Sequence, residues 1–252
     1  MKARDKCCVP EDVCDNRRRT LLKSATGVAA MGLAGGLALG MPGLSFAAAL
    51  GKLERDRLTP DQIIEEFKRG NQRFRSGNMH PHDYLAQKRA SAAGQYPAAA
   101  ILSCIDSRAP AEIILDSGIG YTFNARVAGN IVNDDLLGSL EFACAAAGAK
   151  LVVVMGHTAC GAIKGAIDGV RLGNLTGLLD KIRPAVAATP CTGERTGRNA
   201  AFVDAVARTN VRLTIEEIRR RSEILAGLEK AGKIKVVGSM YQLVGGRVDF
   251  FS

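Results

Sequence analysis

Apolar residues recur along this chain in runs of strand length, separated by stretches with helical spacing. Ala98 to Ser103 and Leu151 to Met155 are continuous apolar runs, as expected of strands buried on both faces of a parallel sheet. Tyr121 to Val127 and Lys233 to Leu243 read as two further strands, and Arg247 to Phe251 as a fifth. Gly245 and Gly246 mark a tight turn before the last one, which predicts an antiparallel edge strand. Helices are predicted over Pro110 to Leu115, Asp134 to Ala147, Thr158 to Asp168, Leu175 to Ala187 and Ala200 to Leu228. This alternation predicts an α/β fold: a central, mainly parallel four-stranded sheet plus an antiparallel edge strand, flanked by helices.

One more helix precedes the sheet. Thr59 offers an N-cap, Pro60 suits the first helical position, and Gln62 completes a capping box. Ile63, Ile64, Phe67 and Phe74 then share one face, and the helix should stop near Gly77. It reads as an N-terminal arm with an apolar face to bury. The polar link after it holds His80 and His82. Either could be a ligand, but the expectation for this link is two solvated histidines.

The first 47 residues follow a different pattern. Arg17-Arg18-Arg19-Thr20-Leu21-Leu22-Lys23 precedes an uncharged, Ala- and Gly-rich stretch from Ser24 to Leu44 and small residues around Ala47. This layout is that of an export signal, and its paired arginines resemble the twin-arginine signal. Residues 1–47 are therefore expected to be cleaved, after Ala47 or next after Ala49, leaving a domain over 48–252. That predicts a periplasmic or secreted protein that meets the twin-arginine (Tat) export machinery transiently. The uncharged stretch is about long enough to span a bilayer, so an uncleaved membrane anchor is the alternative. Of the seven cysteines, Cys7, Cys8 and Cys14 would leave with the leader. The chain carries 34 Lys and Arg against 25 Asp and Glu, a net charge of +9, and the leader accounts for three of that excess. The remainder favours solubility and anionic substrates. It has no basic stripe interleaved with aromatics, which argues against nucleic acid as a partner.

Cys104, Cys144, Cys160 and Cys191 remain. Cys144, in an alanine-rich helix, reads as a small core residue, and Cys191 lies in a loop after Pro190. Cys104 and Cys160 belong to two segments with chemistry in them: Cys104-Ile105-Asp106-Ser107-Arg108 ends the first strand, and His157-Thr158-Ala159-Cys160 ends the third. In open α/β sheets ligands bind outside the carboxyl ends of strands. Two thiolates and an imidazole meeting there form a soft set that suits Zn²⁺. Bound metal would also shield the thiolates from oxidation. Three protein ligands leave a fourth position open, as in catalytic rather than structural zinc sites.

With these residues the chain from about Thr59 to Phe251 resembles the β-class carbonic anhydrases. Gly94-Gln95-Tyr96-Pro97, the segment Asn124 to Asn130, and Val237 to Tyr241 support the resemblance. It implies one Zn²⁺ per subunit on Cys104, His157 and Cys160, and reversible hydration of CO2 to bicarbonate by zinc-bound hydroxide. It implies that Asp106 and Arg108 form a catalytic dyad, with Asp106 a conditional fourth ligand when Arg108 releases it. Gln95 corresponds to a substrate-side amide and Phe123 to an apolar wall of the CO2 pocket. The glutamine goes with the open site. Phe142 stands where many open-site members have Tyr, which removes a hydroxyl. The resemblance also implies a homodimer or homotetramer. No histidine shuttle is evident, so buffer is the expected proton acceptor. Two other functions share these residues: a CS2 or COS hydrolase on the same fold, and a non-catalytic periplasmic zinc or thiol protein. The leader gives a direct test: replacing Arg18 and Arg19 by Lys should hold the precursor in the cytosol on cell fractionation, and mature protein still reaching the periplasm would refute the signal.

Overall fold

The structure, a computed structural model, describes residues 49–251. The leader calls, including the twin-arginine segment, its cleavage and the anchor alternative, lie outside the described residues. Among those residues no helix is long and apolar enough to cross a membrane.

The chain runs α1 (Lys52–Arg57), α2 (Pro60–Ser76), α3 (Tyr84–Ser91), β1 (Ala99–Ser103), α4 (Ala111–Ile114), β2 (Thr122–Arg126), α5 (Asp134–Glu141) and β3 (Leu151–His157). It continues α6 (Gly161–Ile167), α7 (Gly173–Asp180), α8 (Arg183–Ala188), α9 (Ala200–Arg221), α10 (Glu223–Lys230), β4 (Lys235–Tyr241) and β5 (Val248–Phe251). The strands form one sheet in the order β2-β1-β3-β4-β5. Its first four strands are parallel and β5 pairs antiparallel with β4 at the edge. The predicted fold class holds in each of these respects.

Strand β3 shows why the sheet sits where it does. All seven of its residues are buried, and successive side chains feed opposite layers. Val152 and Val154 join Val203, Val206, Val211 and Ile215 of α9 in one core. Leu151, Val153 and Met155 join Ile63 and Phe67 of α2 and Ile114 of α4 in the other. The capping box on α2 forms as predicted: the Gln62 amide donates to Thr59 Oγ1 at 3.2 Å and the Thr59 amide to Gln62 Oε1 at 2.8 Å.

Three helices differ from their predicted extents. The run from Asp134 ends as α-helix at Glu141 and closes with one π turn, Phe142–Ala146. The 175–187 run divides into α7 and α8. The 200–228 run breaks at Ser222, whose hydroxyl accepts the Leu225 amide as the cap of α10. Helices α1 and α3 were not predicted, being six and eight residues long.

The histidine link is also corrected. The His82 side chain is only 3% exposed, and its Nε2 lies 2.9 Å from Oδ1 of Asp116, itself fully buried. Arg73 Nε and the His80 amide donate to Asp116 Oδ2 at 2.6 and 3.2 Å. A buried carboxylate more than thirty residues away draws in the His82 ring and the His80 backbone amide, and local composition carries no sign of it. Burial alone pushes the Asp116 carboxyl up, but the hydrogen bonds from Arg73, His82 and the His80 amide outweigh it and hold its pKa below the ordinary value.

Two stability measurements follow. A Cβ on Gly70 of α2 would lie 1.9 Å from the Leu115 carbonyl oxygen. Helix propensity favours Gly70→Ala by roughly 1 kcal/mol, but this backbone clash reverses the sign, and urea unfolding should show a net loss of about 1–3 kcal/mol. Asp116→Asn removes a charge that accepts three hydrogen bonds and should cost roughly 1.5–3 kcal/mol at neutral pH. Because the folded-state pKa of Asp116 is depressed, its contribution is complete above about pH 4 and is lost as pH falls further, so the deficit of the variant should shrink below that pH.

Candidate metal centre

Cys104 follows the last residue of β1, and His157 is the last residue of β3. These strands are parallel neighbours, with Ser103 opposite Met155, so both chemical segments leave the sheet at the same edge. After His157 the chain turns sharply. The Thr158 amide donates to the Tyr241 carbonyl at 3.0 Å, and Thr158 Oγ1 accepts the Leu243 amide at 2.9 Å. Ala159 takes a left-handed conformation, φ +54°, which costs an L-residue roughly 1–2 kcal/mol. Cys160 then becomes the N-cap of α6.

The turn brings Cys104, His157 and Cys160 together, all buried, with their ligand atoms within 4.8 Å of one another. The two Sγ atoms are 4.0 Å apart, twice the length of a disulfide, and both thiols are free. Two sulfurs on one tetrahedral Zn²⁺ at about 2.3 Å would sit about 3.8 Å apart, so the spacing fits. His157 Nδ1 is 2.9 Å from the Thr158 carbonyl oxygen, which assigns the ring proton to that nitrogen. Nε2 is left buried without a hydrogen-bond partner among the described residues. A buried imidazole nitrogen with nothing to bind, facing two thiols, is what a metal ligand set looks like without its ion.

The charges agree. The contact with Cys160 above all, with the Gly129 and Asp106 amides beside it, outweighs burial and holds the Cys104 thiol well below its ordinary pKa. The same contact, burial and the charge on Cys104 push Cys160 up. A divalent cation bound between the two thiols would displace their protons.

Beside it, Arg108 grips Asp106 with both arms: Nε to Oδ1 at 3.0 Å and Nη2 to Oδ2 at 2.8 Å, while the Arg108 amide also donates to Oδ1 at 3.0 Å. These contacts, the guanidinium first, hold the Asp106 carboxyl well below the usual carboxylate range. Asp106 Oδ2 lies 3.8 Å from His157 Nε2, so the carboxylate borders the cluster. Arg126, at the end of β2, donates to the Cys104 and Asp106 carbonyls at 2.9 and 2.6 Å and fixes the loop between them. Its sequence position at a strand end, next to the strand carrying Cys104, was the only signal of this role.

Gln95 and Phe123 are not brought to this cluster within one chain. Gln95 is exposed in the loop before β1, and Cys104 lies beyond the other end of that strand, roughly 16 Å along it. Phe123 pairs with Ala100 near the same amino end. Its ring meets Phe142 edge to face, centroids 5.9 Å apart, and Phe142 is 55% exposed. Cys144 is a core residue as expected, with burial pushing its thiol up to about 12. Cys191 Sγ contacts the Gly193 and Glu194 carbonyls at 3.6 Å.

A family model described as carbonic anhydrase matches residues 99–248, the segment that holds the four parallel strands and every residue of the cluster. The chain belongs to the β-class carbonic anhydrases. It is 36% identical over 194 residues to carbonic anhydrase 2 of Mycobacterium tuberculosis, covering 75% of this chain and 91% of that one. It is 33% identical over 195 residues to a carbonic anhydrase of Mycolicibacterium smegmatis, covering 77% and 94%. Among solved structures it resembles a tetrameric β-carbonic anhydrase of Sordaria macrospora, with a TM-score of 0.57, 26% identity, and coverage of 64% of this chain and 83% of that one. A carbonic anhydrase of this class is a zinc enzyme, and the Cys104–His157–Cys160 cluster supplies a donor set of the matching chemistry.

Proposed function

We propose that this carbonic anhydrase binds one Zn²⁺ per subunit through Cys104 Sγ, His157 Nε2 and Cys160 Sγ, and hydrates CO2 reversibly to bicarbonate and a proton. The observation that carries the metal assignment is the buried, partnerless Nε2 of His157 facing two thiols 4.0 Å apart. Bound there, the ion would supply Lewis acidity, bringing the ionisation of a water from about 15.7 to near 7.

The protein's own residues do the rest. Arg108 keeps Asp106 ionised, so at neutral pH its carboxylate accepts hydrogen bonds and donates none. Asp106 Oδ2, bordering the cluster, is placed to orient the attacking water toward CO2. Its depressed pKa makes it a poor proton store, so the released proton passes to buffer. The Arg108 side chain is 58% exposed, and exchanging its fork for solvent is cheap. Once released, Asp106 would become the fourth ligand and close the site. The intact pair supports the open state as the resting one.

Gln95 and Phe123 enter this mechanism from a second copy, since their own strand ends face away from their own cluster. The tetrameric relative from Sordaria macrospora supports a homodimer or homotetramer. Export by the twin-arginine route would place the enzyme in the periplasm.

Metal analysis with stopped-flow CO2 hydration tests the proposal. About one zinc per chain is expected, lost together with activity in Cys104→Ser and His157→Ala. Asp106→Ala should keep its zinc and lose roughly 10–100-fold in kcat/KM. Full hydration activity in Asp106→Ala, or in protein stripped of zinc, would overturn the mechanism.

A further inference from the structure

We propose that Asp204 and Asn210 of α9 are positioning residues of the metal centre, each acting through the backbone of a residue that adjoins or hydrogen-bonds a ligand. The inference rests on the zinc assignment above and deepens it.

Helix α9 lies hard against the strand that ends in His157. A Cβ on Gly156 would sit 2.7 Å from Val211 Cγ2, so the helix touches backbone there. Most of its inward positions are apolar: Phe202, Val203, Val206, Ala207, Val211 and Ile215. Asn210 and Thr214 are its buried polar positions and Asp204 is half-buried; Asn210 and Asp204 each reach a loop that holds a ligand.

Asn210 is 3% exposed, and its Nδ2 donates to the Gly129 carbonyl at 2.8 Å. The Gly129 amide in turn donates to Cys104 Sγ at 3.3 Å. Gly129 is left-handed, φ +70°, and a Cβ there would meet Ile182 Cδ1 at 2.5 Å. No side chain larger than glycine's fits there, and Asn210 anchors the residue through its carbonyl, steadying the backbone whose amide is aimed at the Cys104 sulfur.

Asp204 acts on the other segment. Its Oδ1 accepts the Ala159 amide at 2.9 Å. Ala159 is the strained, left-handed residue between His157 and Cys160. The turn at Ala159 sets the distance between those two ligands, and the Asp204 carboxylate offsets its strain. One rigid helix thus holds the Cys104 loop and the His157–Cys160 turn in a fixed relation, so the three ligand atoms are spaced before any ion arrives.

Cobalt provides a readout independent of turnover, because thiolate-to-Co²⁺ absorption reports the ligands directly. Wild type, Asp204→Ala, Asp204→Asn, Asp204→Ala with Ala159→Gly, and Asn210→Ala would be loaded with Co²⁺ and titrated with a competing chelator. Circular dichroism would confirm the fold of each. Asp204→Ala and Asn210→Ala should hold the ion roughly 10–100-fold more weakly. Asp204→Asn keeps an acceptor oxygen and should stay near wild type. Ala159→Gly removes the left-handed penalty and should restore most of the affinity lost in Asp204→Ala, which a general weakening of α9 would not allow. Unchanged affinity in both alanine variants, or no recovery with Ala159→Gly, would overturn the inference. Should Asn210→Ala fail to fold, the Asp204 variants decide it. A wild-type chain that takes up no cobalt would remove the zinc assignment, and this inference with it.

Discussion

The pairing of β1 with β3 is the constraint on which the rest depends. Parallel neighbours put their carboxyl ends at one edge, and so bring Cys104 and His157 together across about fifty residues of sequence. An antiparallel pairing would have placed them at opposite edges. Continuous burial on both faces holds that pairing in register, since a one-residue slip would exchange the residues facing α9 with those facing α2. The catalytic edge is thus a consequence of two well-filled apolar layers.

At that edge the problem becomes electrostatic. Two thiols and an imidazole are buried side by side. A buried thiolate is costly in a low dielectric unless a cation joins it. The donor set is of the kind that a soft divalent ion joins. Asp106 is a carboxylate of the opposite kind. Its charge is already matched by the two-armed contact from Arg108.

Much of this was legible in the chain. The apolar runs, the Gly245-Gly246 turn and the Thr59 capping box depend on local chemistry, and each appears where the sequence predicts it. Helix extents were less legible. The break at Ser222 depends on a cap that also donates to Glu141 Oε1, eighty residues away in sequence. His82 was misplaced for a similar reason: its partner Asp116 lies on the far side of β1, and no local pattern points to it.

By itself the sequence determined the class of fold, the soft ligand set and the Asp106–Arg108 pair, because these follow from periodicity and from side chains within a few residues of each other. Tertiary structure alone decided which nitrogen of His157 is left free, how far apart the two sulfurs stand, and that Gln95 and Phe123 lie away from the cluster of their own chain. It also decided that α9 reaches both ligand loops. These depend on backbone carbonyls, amides and strand ends meeting across long separations, and an amide's direction leaves no mark in the identity of its residue.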